Sequence, residues 1–275
     1  MIEWIEAFFL QIGPIYSALL ATTFTWFMTA LGASFILFFK KFNRGTLDAM
    51  LGFTGGVMMA ASFWSLLDPA IEMSKGLYGK SFWLVPASGF LVGTLFLFVM
   101  DKFTPHLHIN FGSEESEGLK TQWHSTTLLV LAITLHNIPE GLAVGVLFGA
   151  SFAGVDGASI PAAMALAIGM GIQNFPEGMA VAFPLRRMGV SRFRSFWIGQ
   201  LSAIVEPIAG VLGAVAVFYV QPILPFAMSF AAGAMIYIVI EEVIPETQRD
   251  KFTDVAVLSF IFGFLVMMVL DTSIA

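Results

Sequence analysis

The chain has 275 residues, of which 57% are hydrophobic and 12% are charged, and its mean hydropathy is +0.85. Such a composition excludes an ordinary soluble domain and is typical of an integral membrane protein. The absence of cysteine excludes a disulfide framework, a thiolate metal site and a thiol nucleophile. The net charge of −6 says little about partners, because several of the acids lie inside apolar stretches.

Apolar stretches recur along the whole chain. Residues 1–11 contain two glutamates but no Lys or Arg, so they predict a short interfacial segment rather than a cleaved signal peptide. A spanning helix needs about 20 apolar residues, and eight stretches approach that length. We therefore predict an all-α integral membrane protein, a single transmembrane domain over 1–275, with helices at about 14–39, 46–67, 82–100, 125–148, 159–184, 195–219, 222–241 and 254–272.

The cationic residues predict how these helices are oriented, because cytoplasmic loops of membrane proteins retain Lys and Arg. If both termini are outside, the external loops hold only Lys75 and Lys80. The predicted cytoplasmic loops hold all the other cations, namely Lys40, Lys41, Arg44, Lys102, Lys120, Arg186, Arg187, Arg192, Arg194, Arg249 and Lys251. An odd number of helices with chance placement of charge is the alternative.

The longest break between predicted helices is the cytoplasmic loop 101–124. It contains His106, His108, Glu114, Glu115 and Glu117. A solvated acidic connection is the favoured interpretation, and a loop that senses or receives metal ions is the alternative.

Two similar polar motifs lie inside the fourth and fifth predicted helices. Residues 136–141 read HNIPEG and residues 173–178 read QNFPEG. Because consecutive spanning helices run antiparallel, this internal repeat predicts two motifs related by an approximate two-fold axis in the membrane plane, a recurrent transporter design. Within each motif the first two polar residues lie four and three positions before the glutamate, a spacing that gives each helix one polar stripe; they are His136, Asn137 and Glu140, and then Gln173, Asn174 and Glu177.

A third acid, Glu206, lies within the sixth predicted helix. An ionisable residue at the centre of a spanning helix costs about 2.5–3.5 kcal/mol, so Glu140, Glu177 and Glu206 together would cost roughly 8–10 kcal/mol if they were unpaired. No Lys or Arg lies within these helices to neutralise them. Either the acids are protonated or cations from outside compensate them, and a bound divalent ion does so directly.

The chemistry of the side chains suits transition metals, because imidazole, carboxylate and amide oxygens bind Zn(II), Fe(II) and Mn(II). Taken singly, Asn137 and Asn174 could be hydrogen bonders between helices, and His136 could be a satisfied buried histidine. Their occurrence in duplicate beside a third buried acid favours a transport site instead. The phosphate-binding pattern GxxxxGK[ST] is absent, so the chain is not expected to hydrolyse ATP.

The motif pair, together with Glu206-Pro207 and the sequence EEVIPE at 241–246, resembles the ZIP (Zrt-, Irt-like protein) family of metal transporters and looks closest to its bacterial branch. The resemblance covers most of the chain. It implies eight helices with extracytoplasmic termini, in which two inverted three-helix repeats surround the fourth and fifth helices, and a homodimer. It also implies import of zinc, or of iron, manganese or cadmium, across the plasma membrane, the inner membrane of a Gram-negative cell. Neither nucleotide nor nucleic acid is an expected partner.

The resemblance further implies a two-metal site near the middle of the membrane. The first metal would be bound by His136, Glu140, Gln173 and Glu177, with Met58 as a thioether ligand, although Met58 could equally be a packing residue. The second would be bound by Asn137, Asn174 and Glu206 and would share Glu140 and Glu177. Glu241 and Glu242 would line the cytoplasmic exit. Some family members carry aspartate where this chain has Asn174, so the second position is less anionic here.

Two other classes of function remain open from the residues alone. An intramembrane metalloenzyme could use the HxxxE spacing, but the chain lacks the HExxH pair of zinc proteases and the two Glu-x-x-His motifs usual in a di-iron bundle. A carrier of protons or small solutes could use Glu140, Glu177 and Glu206 as a relay without any metal. We expect a transporter rather than an enzyme, and metal analysis separates the two kinds of carrier.

Overall fold

A computed structural model of the protein describes residues 2–39, 43–103, 125–155, 158–219, 224–248 and 251–274. The secondary structure of these residues is helical, without strands. The α-helices are α1 Ile2–Ile12, α2 Pro14–Phe38, α3 Arg44–Ala61, α4 Asp68–Tyr78, α5 Leu84–Phe103, α6 Ser125–Phe152, α7 Ile160–Arg187, α8 Arg192–Leu201, α9 Val205–Tyr219, α10 Leu224–Ile238, α11 Ile244–Thr247 and α12 Thr253–Ile274. Two π-helical segments, Ser62–Leu67 and Val239–Val243, join α3 to α4 and α10 to α11.

Several of these helices can cross a membrane. Five helical runs in the described residues are both long and apolar enough, namely Pro14–Phe38, Arg44–Ser81, Arg192–Val217, Leu224–Thr247 and Thr253–Ser273, and a shorter apolar helix covers Leu84–Met100. The helices that carry the two motifs, α6 and α7, have 28 residues each and are long enough to cross a membrane. They carry the polar motif side chains within their length. The protein is therefore an all-helical, multi-pass membrane protein. The His- and Glu-containing part of loop 101–124 lies outside the described residues.

Three predicted helices differ from the structure in their extent. The second continues to Ser81 and the seventh to Thr247, in each case through a π-helical segment and a proline. Proline is tolerated at the first turn of a helix, where its missing N–H would have no partner. The sixth predicted helix is interrupted at 202–204, just before Glu206, so that α8 and α9 are separate helices.

The helices pack in close pairs, α2 on α7, α6 on α9, α3 on α12 and α5 on α10. Glycine is required at some of these contacts. A Cβ atom on Gly56 of α3 would lie 1.9 Å from the carbonyl oxygen of Phe260 in α12, and one on Gly233 of α10 would lie 2.1 Å from that of Phe90 in α5. Small residues allow this approach in lipid, where close packing rather than the hydrophobic effect holds helices together. The largest buried apolar cluster lies between α3, α6, α7 and α10.

Candidate metal centre

The polar residues of the two motifs are buried where α6 and α7 meet their neighbours. Asn137, Gln173 and Asn174 are fully buried, and Glu140 is 2% exposed. Glu177 is half-buried. Both α6 and α7 remain helical through the prolines of the motifs, so the helical spacing of three and four is preserved. The motif side chains therefore project from one face of each helix, as the sequence predicts.

The first contact between the motifs joins Gln173 of α7 to Glu140 of α6. The amide Nε2 of Gln173 donates a hydrogen bond of 2.8 Å to Glu140 Oε1. The hydroxyl of Thr54 in α3 donates to the backbone carbonyl of Gln173 at 3.3 Å. These bonds fix the position of the Glu140 carboxylate relative to α7 and tie α3 to the site.

Glu206, at the start of α9, is 1% exposed and accepts hydrogen bonds from two helices. Asn174 Nδ2 lies 2.9 Å from each of its carboxylate oxygens, and the hydroxyl of Thr25 in α2 donates to Oε2. Asn174 Nδ2 also donates to the backbone carbonyl of Thr25 at 3.2 Å. Donors from α2 and α7 thus hold the Glu206 side chain in place.

Asn137 has an environment that mirrors that of Asn174. Its Nδ2 atom donates to the backbone carbonyl of Ser202 at 3.2 Å, as Asn174 donates to the carbonyl of Thr25 at the same distance. The side chain of Asn137 also faces that of Glu177. The two asparagines thus donate equivalent hydrogen bonds to backbone carbonyls of neighbouring segments, which fits the internal repeat of the motifs.

Four buried oxygen atoms of the motifs have no hydrogen-bond donor among the residues that the structure describes. They are Asn137 Oδ1, Glu140 Oε2, Gln173 Oε1 and Asn174 Oδ1. A buried acceptor without a donor costs about 1–3 kcal/mol, and such atoms are rare in native proteins unless water or an ion binds them. Four of them on two adjacent helices indicate a place for a cation.

The charges of the centre also indicate a place for a cation. Glu140, Glu177 and Glu206 lie close enough to repel one another. The sequence contains no Lys or Arg between 121 and 185 or between 195 and 248, which covers α6, α9 and all of α7 except its last two residues. Burial without a compensating charge is costly for each carboxylate. A positively charged ligand would offset that cost.

The comparisons with known proteins identify the family. The family model described as ZIP Zinc transporter matches residues 110–271. The zinc transporter ZIP11 of Homo sapiens is 41% identical to the chain, with 95% of this chain and 98% of that protein covered. The zinc transporter GufA of Myxococcus xanthus is 37% identical, with 90% and 94% covered, and the zinc transporter ZIPB of Bordetella bronchiseptica is 36% identical, with 90% and 77% covered. This chain belongs to the ZIP zinc transporter family. Its relatives include animal and bacterial proteins, so placement in the bacterial branch stays a prediction.

The structure also describes the surroundings of the other residues predicted for the site. Met58 in α3 is 2% exposed and is part of the largest buried cluster. His136 is half-buried, and its Nε2 atom lies 3.9 Å from Oε1 of Glu242. Glu242 is 8% exposed, and Glu241 beside it is half-buried, both in the π-helical segment after α10. The structure therefore brings His136 next to the predicted exit.

The carboxylates of the centre are paired with amide side chains and do not form a metal site on their own. In the described parts of the chain, no three His, Asp or Glu side chains converge on one point where they could hold a metal ion by themselves. Gln173 lies against Glu140, and Asn174 lies against Glu206. Any ion at this centre would therefore be bound by amide oxygens as well as carboxylates.

Three residues that the sequence reasoning missed form hydrogen bonds with Glu206 and with residues of the two motifs. Thr25 donates to Glu206, Thr54 donates to the carbonyl of Gln173, and Ser202 supplies the carbonyl that accepts from Asn137. A signal for Thr25 was present. Thr22, Thr25 and Thr29 follow one another at helical spacing in an otherwise apolar helix, and all three are buried.

Proposed function

We propose that this protein carries divalent transition-metal ions, zinc foremost, across the membrane into the cytoplasm, through a binuclear site between α6, α7 and α9. The observation that carries the proposal is the set of four buried acceptor oxygens without donors among the described residues, beside the buried carboxylates of Glu140 and Glu206 and the half-buried one of Glu177. The family relatives named zinc transporters support it. Iron, manganese and cadmium have similar ligand preferences and are further candidate substrates.

The proposed ligands divide into two sets that share two carboxylates. The first ion would be bound by His136, Glu140, Gln173 and Glu177, with Met58 as a thioether ligand, and the second by Asn137, Asn174, Glu206, Glu140 and Glu177. The amide nitrogens of Gln173 and Asn174 already hold Glu140 and Glu206 in place. Their amide oxygens remain available to an ion. Neutral amide oxygens bind more weakly than thiolates, and a transport site needs an ion that can leave.

We infer an eight-helix arrangement, with two inverted three-helix repeats around α6 and α7. The repeats would be α2 to α5 and α8 to α12, with α3–α4, α8–α9 and α10–α11 each forming one spanning segment. Two pairs of equivalent contacts are offset by the same number of residues. Gly56 and Gly233 both approach a backbone carbonyl and are 177 residues apart (233 minus 56). Thr25 and Ser202, whose backbone carbonyls accept from Asn174 and Asn137, are also 177 residues apart (202 minus 25). Such repeats support alternating access, in which the ion site faces each side in turn.

Cysteine labelling tests this arrangement, because the natural chain contains no cysteine. A cysteine at Lys75 should react with an impermeant maleimide added outside intact cells, and a cysteine at Arg192 should react only after the membrane is opened. Labelling of both from the same side would rule out eight helices with extracytoplasmic termini.

The proposed route runs from outside, through the binuclear site, to Glu241 and Glu242 at the cytoplasmic end. The location is the plasma membrane, the inner membrane in a Gram-negative cell, and the assembly is a homodimer. The ion gradient drives the movement, because the sequence contains no phosphate-binding loop.

The decisive experiment measures zinc uptake by purified protein in proteoliposomes. Glu177→Ala should abolish saturable uptake, because it removes a carboxylate shared by both ions. The matched control is Glu72→Ala, which deletes an exposed acid paired with Lys75 outside the centre and should leave uptake unchanged. Undiminished zinc flux in Glu177→Ala would refute the site. Uptake of protons with no zinc bound to the wild-type protein would favour the metal-independent carrier instead.

A further inference from the structure

A buried cluster of charged residues joins the start of α3 to the end of α11. Arg44 Nε lies 2.8 Å from Asp48 Oδ1, and Arg44 Nη2 donates to Glu246 Oε1 at 2.6 Å. The same Nη2 atom donates to the backbone carbonyl of Glu246 at 3.1 Å. Asp48 is fully buried, Glu246 is 2% exposed, and the side chain of Arg44 is 18% exposed. One guanidinium group therefore bridges two buried carboxylates and a helix end.

The position of Arg44 is unfavourable for its own helix. Arg44 is the first residue of α3, where the helix dipole disfavours a cation. The carbonyl of Glu246, by contrast, lies at the C-terminal end of α11, where the dipole favours one. The contacts with α11 therefore account for the placement of this arginine better than the stability of α3 does.

The cluster lies one helical turn beyond the acids of the predicted exit. Glu241 and Glu242 belong to the π-helical segment Val239–Val243, in which backbone hydrogen bonds join residues five positions apart instead of four. Pro245 has no backbone N–H and therefore cannot donate to the carbonyl of Glu241 four residues before it. Arg44 ties the end of that segment to α3.

The helix that carries Arg44 is itself firmly anchored. Cβ atoms on Gly52 and Gly56 would lie 2.2 Å and 1.9 Å from backbone carbonyl oxygens of α12, so α3 and α12 are in direct backbone contact. A shift of α3 relative to α12 would break this packing. The α3/α12 pair is therefore a rigid base against which the exit segment is fixed.

We propose that Arg44, supported by Asp48, is a positioning residue that holds Glu242 opposite His136 and so sets the rate at which the ion leaves the central site. The geometry is the 3.9 Å contact between His136 Nε2 and Glu242 Oε1, one turn from the Arg44–Glu246 pair. The inference rests on the proposed transport function. It adds a residue that does not touch the ion and predicts an effect on release alone.

The test is zinc uptake by the full-length chain in proteoliposomes. Arg44→Ala should lower the maximal rate about tenfold or more, because breaking a buried ion pair displaces its partners. The KM on the outer side and the zinc bound per chain should stay within about twofold of wild type, since the central ligands are untouched. The control is Arg192→Ala. Arg192 also begins a helix and donates to a backbone carbonyl, that of Leu37 at 3.5 Å, and within the described ranges no hydrogen bond or ion pair joins it to the exit segment.

One further variant separates positioning from general stability. Arg44→Lys should show an intermediate rate, because an ammonium group cannot replace the planar, forked donors of arginine. A wild-type rate in Arg44→Ala would overturn the inference, and so would a joint loss of rate, zinc binding and thermal stability. Absence of uptake by the wild-type protein would overturn the proposed function itself. Normal uptake by both the wild-type protein and Arg44→Ala would overturn only this inference.

Discussion

Replacing Asn174 by aspartate tests whether this residue faces the transported ion. The amide of Asn174 lies 2.9 Å from both oxygens of Glu206. Aspartate has nearly the same shape, but it removes the donors and adds a negative charge. Two unit charges at that separation repel by about 6 kcal/mol at an effective dielectric constant of about 20. The figure is an upper bound, because the paired carboxylates can share a proton or bind a dication.

The substitution should destabilise the folded protein without metal and should increase the stabilisation that bound zinc provides. Without metal, the variant loses its hydrogen bonds to Glu206, worth about 1.5–3 kcal/mol each to a charged acceptor, and gains repulsion. With zinc bound, the added carboxylate becomes a ligand. A tenfold gain in zinc affinity is about 1.4 kcal/mol, and at saturation it adds fully to the stability of the folded state. That increment corresponds to roughly 3–6 °C in Tm for a chain of this size.

The assay is thermal unfolding of the full-length protein in detergent, followed by the fluorescence of its six tryptophans, with chelator and then with saturating zinc. Asn174→Asp should unfold at a lower temperature than wild type in chelator and show a larger zinc-induced rise in Tm. Asn174→Ala removes the same donors without adding charge, so its rise should not exceed that of wild type. Equal zinc-induced rises in the aspartate and alanine variants would refute the placement of an ion beside residue 174.

Three further outcomes follow from the structure. Thr25→Val should weaken zinc binding about three- to tenfold, measured as KM for uptake, because Glu206 loses a donor worth about 1 kcal/mol. The control Thr29→Val removes only a long hydrogen bond to a backbone carbonyl and should have little effect. Gly56→Ala should lower Tm by about 3–10 °C, since its Cβ would lie 1.9 Å from a carbonyl oxygen of α12 and overpacking costs about 1–3 kcal/mol. Gly76→Ala should leave Tm nearly unchanged, because no atom lies within 4 Å of its Cβ. Equal effects of the two glycine substitutions would contradict the proposed close contact of α3 with α12.

The membrane class and the polar motifs could be read from the sequence because they depend on local features. Hydropathy over about 20 residues reports whether a segment can cross a bilayer. The spacing of His136, Asn137 and Glu140, and its repetition at 173–177, follows from the helical period alone. Burial of Asn137 and Glu140 also followed, since both lie in the middle of an apolar stretch.

Helix limits at prolines were less predictable. The segment after Leu67 is rich in polar residues, so hydropathy ended the second helix there, whereas the chain stays helical to Ser81. The break at 202–204 before Glu206 lies in an apolar stretch that hydropathy reads as continuous. Backbone geometry at these points depends on neighbouring helices, which a window over one segment does not contain.

The sequence by itself determined that this protein is a helical membrane protein of the ZIP family with acids repeated inside its helices, because hydropathy, period and motif are written within short segments. Only the tertiary structure decided which side chains meet. Thr25 reaches Glu206 across 181 residues, and Arg44 reaches Glu246 across 202. Such pairings depend on the rotation and separation of packed helices. In lipid those are set by the fit of small residues such as Gly56 against a facing backbone rather than by hydrophobicity.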